Sequence, residues 1–234
     1  PDGAPTKVGV GIADVMCGMY ATIGILAALR HRDKTGEGQH IDLALVDASM
    51  AWLINEGANT LISGQDPVRR GNAHPNIVPY DAFATNDGHI LIAVGNDAQF
   101  ARFCDALGLG DAATDPRFTT NLGRIENREA LMPRIAPAMA ALPKDDLLAR
   151  LQAVKVPCGP IHSISEALTS PQAQARGAVV QIDQPDAAAP PVRLLGNPLH
   201  FSATPVRYDR APPRFGQDTA EVLETWGPKN DDAS

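Results

Sequence analysis

From Asp14 to Arg32 apolar side chains recur at helical spacing. Met16, Met19, Tyr20, Ile23, Leu26, Ala27 and Leu29 share one broad face of a predicted helix of about five turns. Gly18 and Gly24 inside it cost helix stability and signal close packing against a neighbour. Arg30, His31, Arg32 and Lys34 near its end suit the negative pole of the helix dipole. Thr35-Gly36-Glu37-Gly38-Gln39 then predicts a turn and His40 to Leu45 a short buried strand. Val46 to Ile62 reads as a second helix, stopped at Ser63-Gly64.

The pattern breaks over Gln65 to Asn76, a polar stretch with Pro67, Gly71 and Pro75 that marks a domain boundary or a mobile loop. Two strands follow, Tyr80 to Ala84 and His89 to Val94, joined by Asn86-Asp87-Gly88, a hairpin signal. A helix is expected over Asp97 to Leu107, a loop over Gly108 to Thr120, and helices over Arg124 to Ala141 and Lys144 to Val154. Pro133 and Pro137 are expected to interrupt the first of that pair. Val156-Pro157-Cys158-Gly159-Pro160 reads as a rigid linker, with short helices up to Arg176. Val179 to Ile182 and Val192 to Leu195 predict a strand pair around a Pro/Ala-rich loop, and Gln217 to Trp226 a terminal helix. Lys229 to Ser234 lack an apolar anchor and read as disordered.

Aromatics make up only 5% of the chain, so its core must be aliphatic. A net charge of −7 argues against a nucleic-acid binder, which needs clustered cations for phosphate. Three dispersed cysteines give neither a disulfide framework nor a metal spacing and point to a reducing cytoplasm. The six histidines show no ligand spacing, so no metal is expected. No apolar run is expected to reach membrane-span length, because polar residues break the longest helix. Pro1-Asp2-Gly3 is no signal peptide and reads as cut from a longer chain.

Asp14 stands at the mouth of the first helix, behind Gly9 and Gly11. Its plain role is an N-cap. The same position keeps a carboxylate ionised and suits a covalent nucleophile, with free amides nearby for an oxyanion. Arg69 to Asn76 is either a surface connection or a loop over a ligand, with Gly71 permitting unusual backbone angles and His74 a donor or acid–base group. In Gly95-Asn96-Asp97, Asp97 is expected as an N-cap, although a strand-to-helix turn also lines sites. Gly36-Glu37-Gly38 lies between helix and strand, the wrong order for a dinucleotide fingerprint. Cys17 has no neighbouring histidine and reads as a small hydrophobe.

Several stretches together resemble the class III CoA-transferases (CaiB/BaiF type, formyl-CoA transferase-like and related to α-methylacyl-CoA racemase). These are Ile12-Ala13-Asp14-Val15-Met16-Cys17-Gly18-Met19-Tyr20-Ala21, Thr35 to Asp42, Gly71-Asn72-Ala73-His74-Pro75-Asn76 through Tyr80, Ile92 to Asp97, and Val156 to Ile161. The resemblance implies an α/β subunit in which a Rossmann-like large domain and a smaller α+β domain are paired in an interlocked homodimer. On it, residues 1–65 are a large-domain segment, 66–175 the small domain and 176–234 the return to the large domain. The family's N-terminal half, with much of the CoA pocket, is expected to be missing from this sequence.

The same resemblance makes Asp14 the catalytic nucleophile and acyl-CoA the substrate, without a metal, a membrane or nucleic acid. Arg69, Arg70, Gly71, Asn72, His74, Asn96 and Asp97 become candidates for the loop and the substrate lining. The loop at Gly71 to Pro75 resembles one that shields reactive intermediates, with one glycine in place of a glycine run. The wording of the small domain is similar to members using succinyl-CoA or other short dicarboxylyl-CoAs, whose distal carboxylate Arg69 and Arg70 could pair. The alternatives are a racemase, in which the aspartate moves an α-proton, and a non-catalytic module of the same fold. Racemases carry glycines just after that aspartate, where this chain has Val15-Met16-Cys17.

Overall fold

Helix α1 (Ile12–Thr35) ends at Gly36, whose left-handed φ of 79° turns its N–H back to Arg32 O. A computed structural model of the protein describes residues 3–184 and 189–227. The expected disordered tail from Lys229, and residues 185–188 of the Pro/Ala-rich loop, lie outside the described residues.

The expected single apolar face on α1 is corrected. At the helical period, Val15, Met16, Met19, Tyr20, Ile23, Ile25, Leu26 and Leu29 cover more than half of the circumference, and Cys17, Ala21, Gly24 and Ala28 fill the rest. Only Met16 is buried, whereas Ile23 and Leu26 are each 61% exposed. The arc of small residues accepts the extended segment 37–44: a Cβ on Gly24 would lie 3.6 Å from Ile41 Cγ2. By length and composition α1 could cross a membrane, against the expectation from sequence. The interrupting polar group is internally satisfied, since Thr22 Oγ1 donates to Gly18 O at 2.9 Å.

The strand expected at His40 to Leu45 is absent, because no neighbouring strand among the described residues supplies a ladder, and the segment is largely exposed. The single helix expected over Val46 to Ile62 is divided into α2 (Leu45–Ala51), which packs on α1, and α3 (Ile54–Ser63). Ile54, the first residue of α3, has φ +44°, rare for a β-branched residue. Gly57 permits the junction: a Cβ there would come within 2.9 Å of Leu53 Cβ.

The buried core lies between Val78 and Val156. Strands β1 (Tyr80–Ala84) and β2 (His89–Ala93) form the expected hairpin, with Tyr80 opposite Ala93 and Ala84 opposite His89. Val156 to Pro160 is no mere linker, because Cys158–Pro160 is a third strand, β3, antiparallel to β2. Helix α4 (Asp97–Ala106) contributes Phe100, Phe103 and Cys104 to the core. The expected loop Gly108 to Thr120 contains a short helix, α5 (Gly110–Thr114). Asn127 separates α6 (Asn121–Glu126) from α7 (Arg128–Ala140). α7 runs through Pro133 and Pro137 uninterrupted, because Leu131, Ile135 and Met139 at four-residue spacing form a fully buried spine. Helix α8 (Lys144–Ala153) adds Leu147 and Leu151. Asp87 in the hairpin turn accepts Lys144 N–H at 2.8 Å and so caps α8 from another element.

The chain divides into two compact units, Pro1–Pro160 and Ile161–Ser234. The second holds α9 (Ile164–Thr169), which opens on a Ser163/Glu166 capping box, α10 (Pro171–Ala175), the antiparallel pair β4 (Val179–Ile182) and β5 (Val192–Leu195), and α11 (Thr219–Trp226).

Candidate active site

Asp14 is not the N-cap of α1. Gly11 is, and no side chain caps the helix there. Asp14 occupies the third helical position, exposed, and no group among the described residues bonds to its carboxylate. The side chain turns back over Gly11: a Cβ on that glycine would sit 2.8 Å from Asp14 Oδ2. Ile12 N–H bonds to Val10 O and Val15 N–H to Gly11 O. The intervening amides of Ala13 and Asp14 have no acceptor among the described residues. An unpaired carboxylate thus stands beside free N–H donors at the positive end of a 24-residue helix.

The second group of sequence-selected residues is fixed by contacts from two elements. Helix α3 holds the side chains. Glu56 pairs with Arg70 at 3.1 Å, and Asn59 and Asn76 exchange two amide hydrogen bonds of 3.0 and 3.2 Å. The Asn55 amide lies 3.2 Å from His74 Nε2. Helices α6 and α7 hold the main chain. Asn121 donates to Asn76 O at 2.8 Å and accepts Val78 N–H at 3.1 Å, and Arg128 Nη2 donates to His74 O at 2.7 Å.

His74 is also stacked on Tyr80, with ring centroids 5.0 Å apart. Its Nδ1 accepts Asn76 N–H at 3.1 Å. The stack on Tyr80, the bond at Nδ1 and the Asn55 contact pin His74 within the loop. Arg69 donates to Gly3 O. Gly71 takes φ +65° in the turn at the exposed tip, where Asn72 has no partner among the described residues.

Asn96 and Asp97 are placed one step from expectation. The cap of α4 is Asn96, whose Oδ1 accepts Gln99 N–H at 2.9 Å, whereas Asp97 begins the helix. Asp97 pairs at 2.9 Å with Arg124, a fully buried residue that sequence reasoning missed. Arg124 donates to Val78 O at 2.7 Å and Phe118 O at 2.9 Å and lies 4.4 Å over the Phe100 ring. Nothing in the sequence distinguishes Arg124 or Arg128 from a surface arginine. The four-residue spacing of Asn55 and Asn59 was a readable signal of a polar stripe.

Outside this region, Cys104 is buried, and burial pushes its thiol up to about 11, which makes it inert at neutral pH.

This assembly belongs to a defined class: the chain matches CoA-transferase family III over residues 1–219 and is a member of that family. It is 46% identical over 224 residues to a succinate–glutarate CoA-transferase of Agrobacterium fabrum, covering 95% of this chain and 55% of that protein. It is 33% identical to a succinyl-CoA:mesaconate CoA-transferase of Haloarcula hispanica, covering 97% of this chain and 56% of the relative. The crystal structure of a CaiB/BaiF family protein from Brucella suis superposes with a TM-score of 0.76 at 40% identity, over 96% of this chain and 58% of that one. The chain spans about half the length of the curated relatives it matches.

Proposed function

We propose that the full-length protein transfers coenzyme A from an acyl-CoA to a dicarboxylic acid, with Asp14 as covalent nucleophile. The observation that carries this reading is the Asp14 carboxylate itself, exposed, unpaired and not spent on capping its helix. A carboxylate oxygen attacks the thioester carbonyl, forming a mixed anhydride and releasing the CoA thiolate. The thiolate attacks the aspartyl carbonyl, which gives an aspartyl-CoA thioester and frees the first acid. An incoming carboxylate attacks that thioester and regenerates an anhydride and thiolate. Thiolate attack on the new acyl carbonyl then releases the new acyl-CoA and frees Asp14. The names of the relatives, which act on succinate, glutarate and mesaconate, support dicarboxylic partners.

In this reading residues 66–175 form the small domain, which the confinement of the core to Val78–Val156 supports. Residues 1–65 and 176–234 belong to the large domain, and the rest of the full-length protein and a second subunit complete the CoA pocket. The apolar surface of α1 supports burial there, since a helix that is apolar all round belongs inside a larger body. The loop around Gly71 and Asn72 shields the anhydride from water, with Asn96 and Asp97 at the small-domain side of the substrate. The free cysteines favour a reducing compartment, the cytoplasm.

Asp14→Asn in the full-length protein is expected to lower CoA exchange between two acids by about 10³-fold or more, the scale of losing a covalent nucleophile. Exchange at the normal rate, or deuterium uptake at the substrate α-carbon without CoA exchange, sinks the transferase reading in favour of proton transfer.

A further inference from the structure

The adjacent pair Arg69-Arg70 is the obvious sequence candidate for a substrate carboxylate, yet both side chains have partners in the fold. Arg70 is paired with Glu56, and Arg69 with the carbonyl of Gly3. Arg128 differs from them. It is half-buried at the first residue of α7, where the helix dipole adds positive potential to a cation. Among the described residues its guanidinium makes one hydrogen bond, to the neutral carbonyl of His74 at 2.7 Å, and no ion pair. Its remaining N–H donors have no protein acceptor among those residues. Burial pushes its pKa down, Asp81 opposes that shift, and the like charge of Arg70 adds to it. A partly desolvated cation at the wrong end of a helix calls for an anion. The planar fork of a guanidinium matches a carboxylate in two parallel hydrogen bonds. The one bond it does make fixes it to the loop that also carries Arg70, Gly71 and Asn72.

We propose that Arg128 is the specificity-determining residue that seats the distal carboxylate of a dicarboxylic substrate, with Arg70 flanking it. The inference rests on the transferase reading above, since an acid that reacts through one carboxylate leaves its second to be recognised. It assigns to α7 the role that sequence alone offers to Arg69-Arg70.

The test begins on the unaltered full-length protein, so that folding of a variant is not at issue. Phenylglyoxal modification of Arg128 is followed by peptide mass spectrometry with glutarate, with butyrate, or without either. Glutarate is expected to slow modification at least about fivefold and butyrate to leave it unchanged, because only glutarate brings a second carboxylate. Equal modification in all three overturns the proposal. Arg128→Met is then expected to lower kcat/KM for glutarate at least about tenfold more than kcat/KM for butyrate, as loss of a charged hydrogen-bonded pair implies. Equal losses on both acids mark a purely structural arginine and also overturn it. Failure of the transferase reading is separate, because it shows as an unmodified Asp14 in protein given acyl-CoA.

Discussion

The Asp14 carboxylate is placed by what its neighbour lacks. A methyl group on Gly11 would meet Oδ2 at 2.8 Å, and the atom that must yield is the end of a flexible side chain, so the fold should tolerate it while the carboxylate cannot stay. Gly11→Ala is therefore expected to leave the melting temperature nearly unchanged and to lower kcat by about 100-fold, the usual cost of displacing a reacting atom by an ångström. Unchanged kcat contradicts the positioning argument. Asp115 offers a pH test of the fold. Hydrogen bonds from Arg117 hold its carboxyl down at about 2, against an ordinary 3.8. Its stabilisation is thus complete above about pH 4 and is lost as pH falls toward 2. Acid unfolding of Asp115→Asn, followed by circular dichroism, is expected to be shallower across that window. The sequence left Asp14 open between a cap and a nucleophile, and the cap lies three residues earlier, at Gly11, whereas at Asn96-Asp97 it lies one residue before the expected position. Adjacent polar residues have nearly equal capping propensity, and only backbone geometry chooses between them.

At the level of elements, the hairpin and most core helices were legible because each carries a local signal. Asp87-Gly88 fixes a turn, and Leu131, Ile135 and Met139 keep helical spacing through two prolines. The strand at His40 to Leu45 was misread because a strand is defined by its partner, which no local pattern contains. Arg124 was invisible for the same reason: its role is to join α6 to the Val78 and Phe118 carbonyls and to Asp97. Arg124→Met is expected to destabilise the protein by about 2–4 kcal/mol, the cost of leaving two buried carbonyls unpaired. The ion pair adds little, since Asp97 is 54% exposed. A denaturant midpoint measures this, and a change below about 0.5 kcal/mol contradicts the anchoring role.

Over the whole molecule, buried apolar side chains are concentrated between Val78 and Val156, while α1 to α3 expose Ile23, Leu26, Leu61 and Ile62. Such a surface is costly in water unless another body covers it. The 234-residue chain alone is expected to bind the dye ANS strongly and the full-length protein weakly; equal binding contradicts the reading of α1 as an interior helix. The family was legible in the sequence through motifs on α1 and on the loop before β1. What covers α1 was not, because the pattern that marks an apolar surface does not name its partner.

Bond formation at Asp14 is tested most directly by quenching the full-length protein after a brief incubation with an acyl-CoA and mapping its peptides by mass spectrometry. A CoA adduct on the peptide that contains Asp14, lost when the acceptor acid is added in excess, is the predicted result. Continued turnover with that peptide unmodified, or an adduct on another residue, contradicts the account.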